Sequence, residues 1–310
     1  AQDLRAYFLT MQYWFAGSDE NLAAMALFLA DRYLPVARRP WPGRIKAPEP
    51  VEYPEQGVYH PDLAVASALK IGPDPASIPH PAGTTASSGT VGLLILRSYP
   101  LADDAAHYDG VIRAFEARGL RVIPAFASGL DARPAIERFF MKDGVASIDA
   151  LVSLTGFSLV GGPAYNDAAA AEEMLRRLDV PYYAAQAVEF QPIERWAGSA
   201  AGFTPVESTI MVAIPELDGA IAPALYGGRS TSSGETCCGC ERHCQFEAGS
   251  NAAQMRACDE RAEALAAKVA RMVALRRAAR HERNVAVVLF NFPPNSGAAG
   301  TAAFLGVYES

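Results

Sequence analysis

The stretch VGLLILRSYPLADDAAHYDGVIRAFEARGLRVIPAFAS, residues 91–128, decides the fold. An apolar run, VGLLILRSY (91–99), gives way to an amphipathic pattern, AAHYDGVIRAFEARG (105–119), that stops at Gly119. A second apolar run, LRVIPAFAS (120–128), follows at once. Strand-length runs with no polar alternation are buried on both faces, and a helix between two of them is the signature of a parallel pair with a crossover. The pattern continues downstream with helix 133–141, strand 148–156, helix 166–178 and strand 180–188. Strands separated by helices in this way predict an α/β domain with a doubly wound parallel sheet, Rossmann-like or flavodoxin-like. Ligands of such sheets collect beyond the carboxyl ends of the strands.

Upstream, SDENLAAMALFLADRYL (18–34) predicts a helix capped by Ser18 or Asp19 and stopped by Pro35. From Pro35 to about Ser88 proline is frequent enough to exclude regular helix or central strand, so this part is expected to wrap a surface in extended form. Downstream, TIMVAI (209–214) reads as a further strand closed by PELDG (215–219). A helix from about Asn251 to Arg280 then leads to a strand over 284–292, a glycine loop and a helix start, the beginning of a second α/β unit. The expected divisions are therefore an N-terminal helical and Pro-rich segment (1–88), the α/β domain (89–230), a Cys-rich loop (231–260), and a linker helix with the start of the next unit (261–310). Both ends read as internal to a longer chain.

The 310 residues carry a formal charge of −7 with acids and bases interspersed, so the basic footprint of a nucleic-acid binder is missing. No apolar window reaches the ~20 residues of a membrane-spanning helix. All five cysteines lie between 237 and 258. Cys237, Cys240, Cys244 and Cys258 form a C-x2-C-x3-C-x13-C set, with Cys238 as a spare thiol and His243 as an alternative nitrogen ligand. Three close thiolates and a fourth from the following helix suit an iron–sulfur cluster or a tetrahedral zinc, and this favours a reducing, cytoplasmic compartment over a secreted disulfide scaffold.

Three further residues have the right types for metal or proton chemistry. His107 lies early in the first crossover helix, near the ligand edge, where it can bind a metal, take up a proton or simply pack. Glu216 and Asp218, two apart after the expected strand, can share one side of its end and hold a hydrated divalent cation, or can merely close a turn. The glycine-rich SLVGGPAYND and PPNSGAAGT lack the lysine of a phosphate-binding loop, so the chain is not expected to hydrolyse ATP itself.

Long peptides in order, among them QYWFAGSDENLAAMALFLADRY, HYDGVIRAFEARGLRVIPAFASGLD, DALVSLTGFSLVGGPAYND, VPYYAAQAVEFQ and NFPPNSGAAGTAAFL, resemble the magnesium chelatase/cobaltochelatase large-subunit family. The resemblance runs from residue 12 to the end and points to the family's large porphyrin-binding members, the H type of magnesium chelatase. It implies binding of protoporphyrin IX and insertion of Mg2+ in (bacterio)chlorophyll synthesis. ATP would be hydrolysed by two partners of the AAA+ class, known as I and D. It also implies a cytoplasmic protein, peripheral to photosynthetic membranes, and a 4Fe-4S cluster at the cysteines, with zinc as the alternative. Metallation needs a base and an oxygen-rich delivery site, for which His107, Glu216 and Asp218 are the candidates.

Overall fold

A computed structural model describes residues 2–38, 41, 45–64, 69–80, 88–162, 164–231, 236–245 and 254–286. It divides into a unit of residues 1–274 and a second unit from Leu275 onward, which among the described residues comprises the end of a long helix and a turn at Arg280–Glu282.

The first unit is built on one sheet. Its strands are β1 (Gln56–Tyr59), β2 (Ile71–Gly72), β3 (Thr90–Leu94), β4 (Arg121–Ala127), β5 (Ala150–Ser153), β6 (Tyr182–Val188), β7 (Ile221–Arg229) and β8 (Met255–Ala257). In space the order is β8-β7-β6-β5-β3-β4-β1-β2. The five strands β4, β3, β5, β6 and β7 are parallel, and β1, β2 and β8 add antiparallel edges. Counted among the parallel strands alone, the order is 2-1-3-4-5, the flavodoxin-like arrangement, with its switch point between β3 and β5.

The α-helices of six residues or more are α1 (Gln2–Ala16), α2 (Asp19–Tyr33), α3 (Ala106–Glu116), α4 (Arg133–Phe139), α5 (Ala168–Leu178), α6 (Ile193–Gly198) and α7 (Asp259–Arg277). Side chains alternate across a strand, and β6 shows the result. Tyr183, Ala185 and Ala187 join the core under α3 and α7, with Tyr108, Phe115, Leu265 and Val269. Tyr182 and Ala184 join the opposite core under α4 and α5, with Ile136, Phe140 and Met174. Both faces are covered, as the unbroken apolar strands require. Gly110 of α3 lets that helix approach β8 closely, since a Cβ there would fall 2.3 Å from the Ala257 Cβ.

Several expectations are corrected. The Pro-rich segment does not only wrap the surface, because its proline-free QGVY forms β1, which pairs with β4 on one side and β2 on the other. The strand expected at TIMVAI is helical. Thr204 and Glu207 form a reciprocal capping box with Pro205 at the first helical position, and the chain runs through a π-helical turn (Ser208–Ala213) into Ile214–Leu217. The sheet's next strand is instead β7. The helix placed from about Asn251 starts at Asp259, after β8. The first fifteen residues after Ala1 form a helix with Tyr7, Phe8, Trp14 and Phe15 exposed. The strand expected over 284–292 runs into residues 287–310, which, with the loop PPNSGAAG and the helix start TAAFLGVY, lie outside the described residues.

Candidate functional site

The cysteine loop is anchored on both sides. Cys237 N–H donates to the Cys244 carbonyl at 2.9 Å, which folds 237–244 back on itself, and Cys258 N–H donates to the Tyr226 carbonyl of β7 at 2.8 Å. Cys258 thus stands between β8 and the first turn of α7. Arg261 of α7 donates to the Gly239 carbonyl and lies 4.9 Å from the centre of the Trp196 ring of α6. Arg242 pairs with Glu263 at 2.6 Å, and its N–H donates to Glu260. Two elements of the sheet domain therefore hold the loop against α7.

Cys240, Cys244 and Cys258 converge, with all three sulfurs within 4.8 Å of one another and Cys240–Cys244 at 3.8 Å. That separation is the edge of a sulfur tetrahedron around one ion at the ~2.3 Å zinc–sulfur distance. Among the described residues this is the one such group of three or more His, Cys, Asp or Glu side chains. Cys237, the fourth expected ligand, is buried beside it and accepts the Gly239 N–H at 3.4 Å, outside the converged set. Cys238 and His243 are exposed.

Burial pushes the Cys258 thiol up to about 12 and raises Cys244 and Cys237. Burial acts the same way on Cys240, but hydrogen bonds from Cys258, the Arg242 backbone and Cys244 outweigh it and lower that thiol. The donor set fits a cation that supplies the missing positive charge, since metal binding is what deprotonates such thiols.

The other candidates do not meet. His107 is buried against Tyr99 and Tyr108, with ring centres 4.6 and 3.8 Å away, and its Nδ1 has no partner among the described residues. Burial, assisted by the charge of Arg229, depresses its pKa to about 3, so the imidazole is neutral near pH 7. Glu216 is exposed on the helical turn Ile214–Leu217. Asp218 caps that turn and is buried. Its Oδ2 accepts from Ser158 Oγ and Leu159 N–H, both at 2.7 Å, and burial raises its pKa. The two carboxylates thus flank a helix end rather than sharing one side of a strand. The anion reading of SLVGGPAYND loses its helix terminus, because the Asp167 side chain already accepts from Ala170 N–H at the start of α5.

A narrow crevice with room for about one water, some 20 Å3, lies at the switch point between Leu94 of β3 and Ser153 of β5. Phe126, Leu130, Phe157 and Leu159 wall it. Beside it Gln186 of β6 is 1% exposed, and neither its amide oxygen nor its nitrogen has a partner among the described residues. Sequence reading passed over this residue, although a lone Gln inside the apolar run YYAAQAV was the available signal.

The CobN/magnesium chelatase family model matches residues 11–310. The chain belongs to the CobN/magnesium chelatase family. It is 54% identical over 313 aligned residues, and over its whole length, to the H subunit of magnesium chelatase from Cereibacter sphaeroides. It is 34% identical, again over its whole length, to ChlH, the chloroplastic magnesium-chelatase protein of rice. It spans 25% and 21% of those two proteins, respectively. The fold is similar to the catalytic subunit of cobaltochelatase from Mycobacterium tuberculosis, with a TM-score of 0.56 and 23% identity over 88% of this chain and 20% of that one. No helix among the described residues of this family member is long and apolar enough to cross a membrane.

Proposed function

We propose that this protein belongs to the porphyrin-binding large subunit of a magnesium chelatase, which inserts Mg2+ into protoporphyrin IX for (bacterio)chlorophyll synthesis. The observation that carries the reading is the 54% identity, sustained over the whole chain, to the large H-type component of a magnesium chelatase. A cobaltochelatase role is less supported, since the family model covers both branches and the 23% identical cobaltochelatase structure shows the fold alone. ATP is hydrolysed by the two AAA+ class partners, I and D, in keeping with the missing phosphate-loop lysine in this sequence. The protein works in the cytoplasm, at the periphery of photosynthetic membranes.

Metallation must remove two pyrrole N–H protons and strip water from a strongly hydrated ion. Glu216, exposed on its helical turn, is the carboxylate a hydrated cation can reach. Asp218 acts by holding the 158–160 loop, and His107, kept neutral, supports the sheet edge by packing. Cys240, Cys244 and Cys258, with Cys237 beside them, are the ligands of a 4Fe-4S cluster, for which the sulfurs must spread from their present spacing, or of a zinc, which that spacing fits directly. Such a cluster would supply a redox-responsive element, which metallation itself does not consume.

The test is metallation by the full-length protein with both ATPase partners, ATP and protoporphyrin IX. Mg2+ insertion that depends on all three components is expected. Insertion at the normal rate without the partners, or insertion of cobalt into a corrin ring in preference, would refute the assignment. In the same assay Glu216→Gln is expected to slow metallation without affecting folding.

A further inference from the structure

Helix α1 turns its apolar side away from the rest of the fold. At 3.6 residues per turn, Trp14, Tyr7, Met11, Leu4, Phe15 and Phe8 follow one another round the helix within about 120° of arc. All of these except Met11 are between 58% and 69% exposed, and Met11 is half-buried. The side that packs is a different one, roughly 150° round from the centre of this stripe. There Ala6 and Tyr13 are buried. The Tyr13 ring lies 6.1 Å from that of Phe28 in α2, and its hydroxyl donates to the Pro48 carbonyl. No charged residue falls within the stripe. Asp3, on its border, is held by Arg32 at 3.4 Å and by the Tyr33 hydroxyl at 3.3 Å.

An apolar stripe wider than about 100° is what a surface helix ordinarily turns towards a core. Single exposed apolar residues are common on protein surfaces, but a contiguous aromatic patch marks a surface that meets a partner. Helices that lie on lipid carry rows of Lys and Arg on their polar side, and Arg5 is the only base of α1. A second copy meets the stripe only at the protein's own concentration. A segment of the same polypeptide meets it at an effective concentration set by the tether, up to the millimolar range. The family supplies such a segment. The chain spans 25% of the Cereibacter sphaeroides H subunit and 21% of rice ChlH, so about three quarters of each relative has no counterpart in these 310 residues.

We infer that the aromatic stripe of α1 is one half of an internal interface, covered in the complete large subunit by an apolar, uncharged face of the same polypeptide outside residues 1–310. α1 then has two packed sides, one on α2 and one on that face. This rests on membership of the family and is independent of the metallation reading.

The test is hydroxyl-radical footprinting, read residue by residue by mass spectrometry, of the 310-residue chain and of the full-length protein. Tyr7, Phe8, Trp14 and Phe15 are expected to be oxidised severalfold more slowly in the full-length protein, with Tyr13, already buried, slow in both. Equal rates in the two proteins overturn the inference. So does protection within the 310-residue chain that grows with its concentration, which would assign the stripe to a second copy. Protection of the full-length protein that requires added phosphatidylglycerol vesicles would assign it to lipid, and also overturns it. Phe8→Ser with Phe15→Ser is expected to lower the Tm of the full-length protein by several degrees and to leave that of the 310-residue chain unchanged, and equal shifts in both count against the interface. If the doubly substituted full-length protein does not fold, footprinting of the wild type decides alone.

Discussion

Asp218 and Ser158 stand sixty residues apart in the chain and share a buried 2.7 Å hydrogen bond, Ser158 Oγ donating to the carboxylate that also receives Leu159 N–H. This contact ties the helical stretch 205–217 to the loop that walls the crevice.

Asp218→Asn keeps an acceptor for both donors and removes a buried charge, so it is expected to fold with wild-type or higher stability at pH 7. Asp218→Ala leaves Leu159 N–H and Ser158 Oγ unpaired and is expected to cost about 1–3 kcal/mol. Because burial raises the folded pKa above 3.8, the folded state holds this proton more tightly than the unfolded chain. Asp218 therefore lowers stability as pH rises from its unfolded pKa through the raised folded one, and the Asn variant lacks that component. Denaturant melts of the three proteins across pH 4–8 check both claims.

His107 has the opposite dependence. Its folded pKa of about 3 lies below the usual 6.5, so between those values the unfolded chain binds the extra proton. Stability is complete above about pH 6.5 and is lost as pH falls towards 3. His107→Phe is expected to fold at pH 7 and to show a shallower acid transition. An unchanged acid limb would mean that the imidazole is solvated and titrates normally.

At the cysteines, protein prepared anaerobically is expected to carry iron and sulfide together, and Cys240→Ser with Cys244→Ser to lose both while the sheet stays folded. Zinc without iron would select the single-ion alternative that the 3.8 Å sulfur separation also fits. Metal content indifferent to both substitutions would remove the centre altogether.

Gly110 offers a test from the far side of β8. A branched side chain there must displace Ala257, whose Cβ would be 2.3 Å away, and Cys258 is the next residue. Gly110→Val is expected to lower metal retention severalfold with circular dichroism little changed. Normal metal content would show that Cys258 is not a ligand.

The central β3–β7 architecture was legible only in part, and the reasons are local. Continuous apolar runs marked β3 to β6 correctly, because strands buried on both faces need no alternation. TIMVAI has the β-branched content of a strand, yet TPVE at 204–207 is a capping box, and the helix it starts overrode propensity. The antiparallel strands β1 and β8 are four and three residues long, too short for any periodicity to register. The cysteine spacing marked a sulfur cluster, but which three sulfurs converge depends on Arg261, Trp196 and the Tyr226 carbonyl, all distant in sequence. His107 carried no signal for its neutral state, since burial against Tyr99 and Tyr108 arises only in the fold.

The hydrogen bond from Cys258 to Tyr226 also couples the three converged sulfurs to an edge of the sheet. β8 is the three-residue strand that covers the outer side of β7, and Cys258 fastens its end. Were it to detach, Gly227, Gly228 and Arg229 at the end of β7 would lose the partner that covers their backbone donors and acceptors and would offer them to any passing chain. If the cysteines hold a metal, its removal is expected to loosen β8, so that self-association through this edge precedes unfolding and registers first as turbidity.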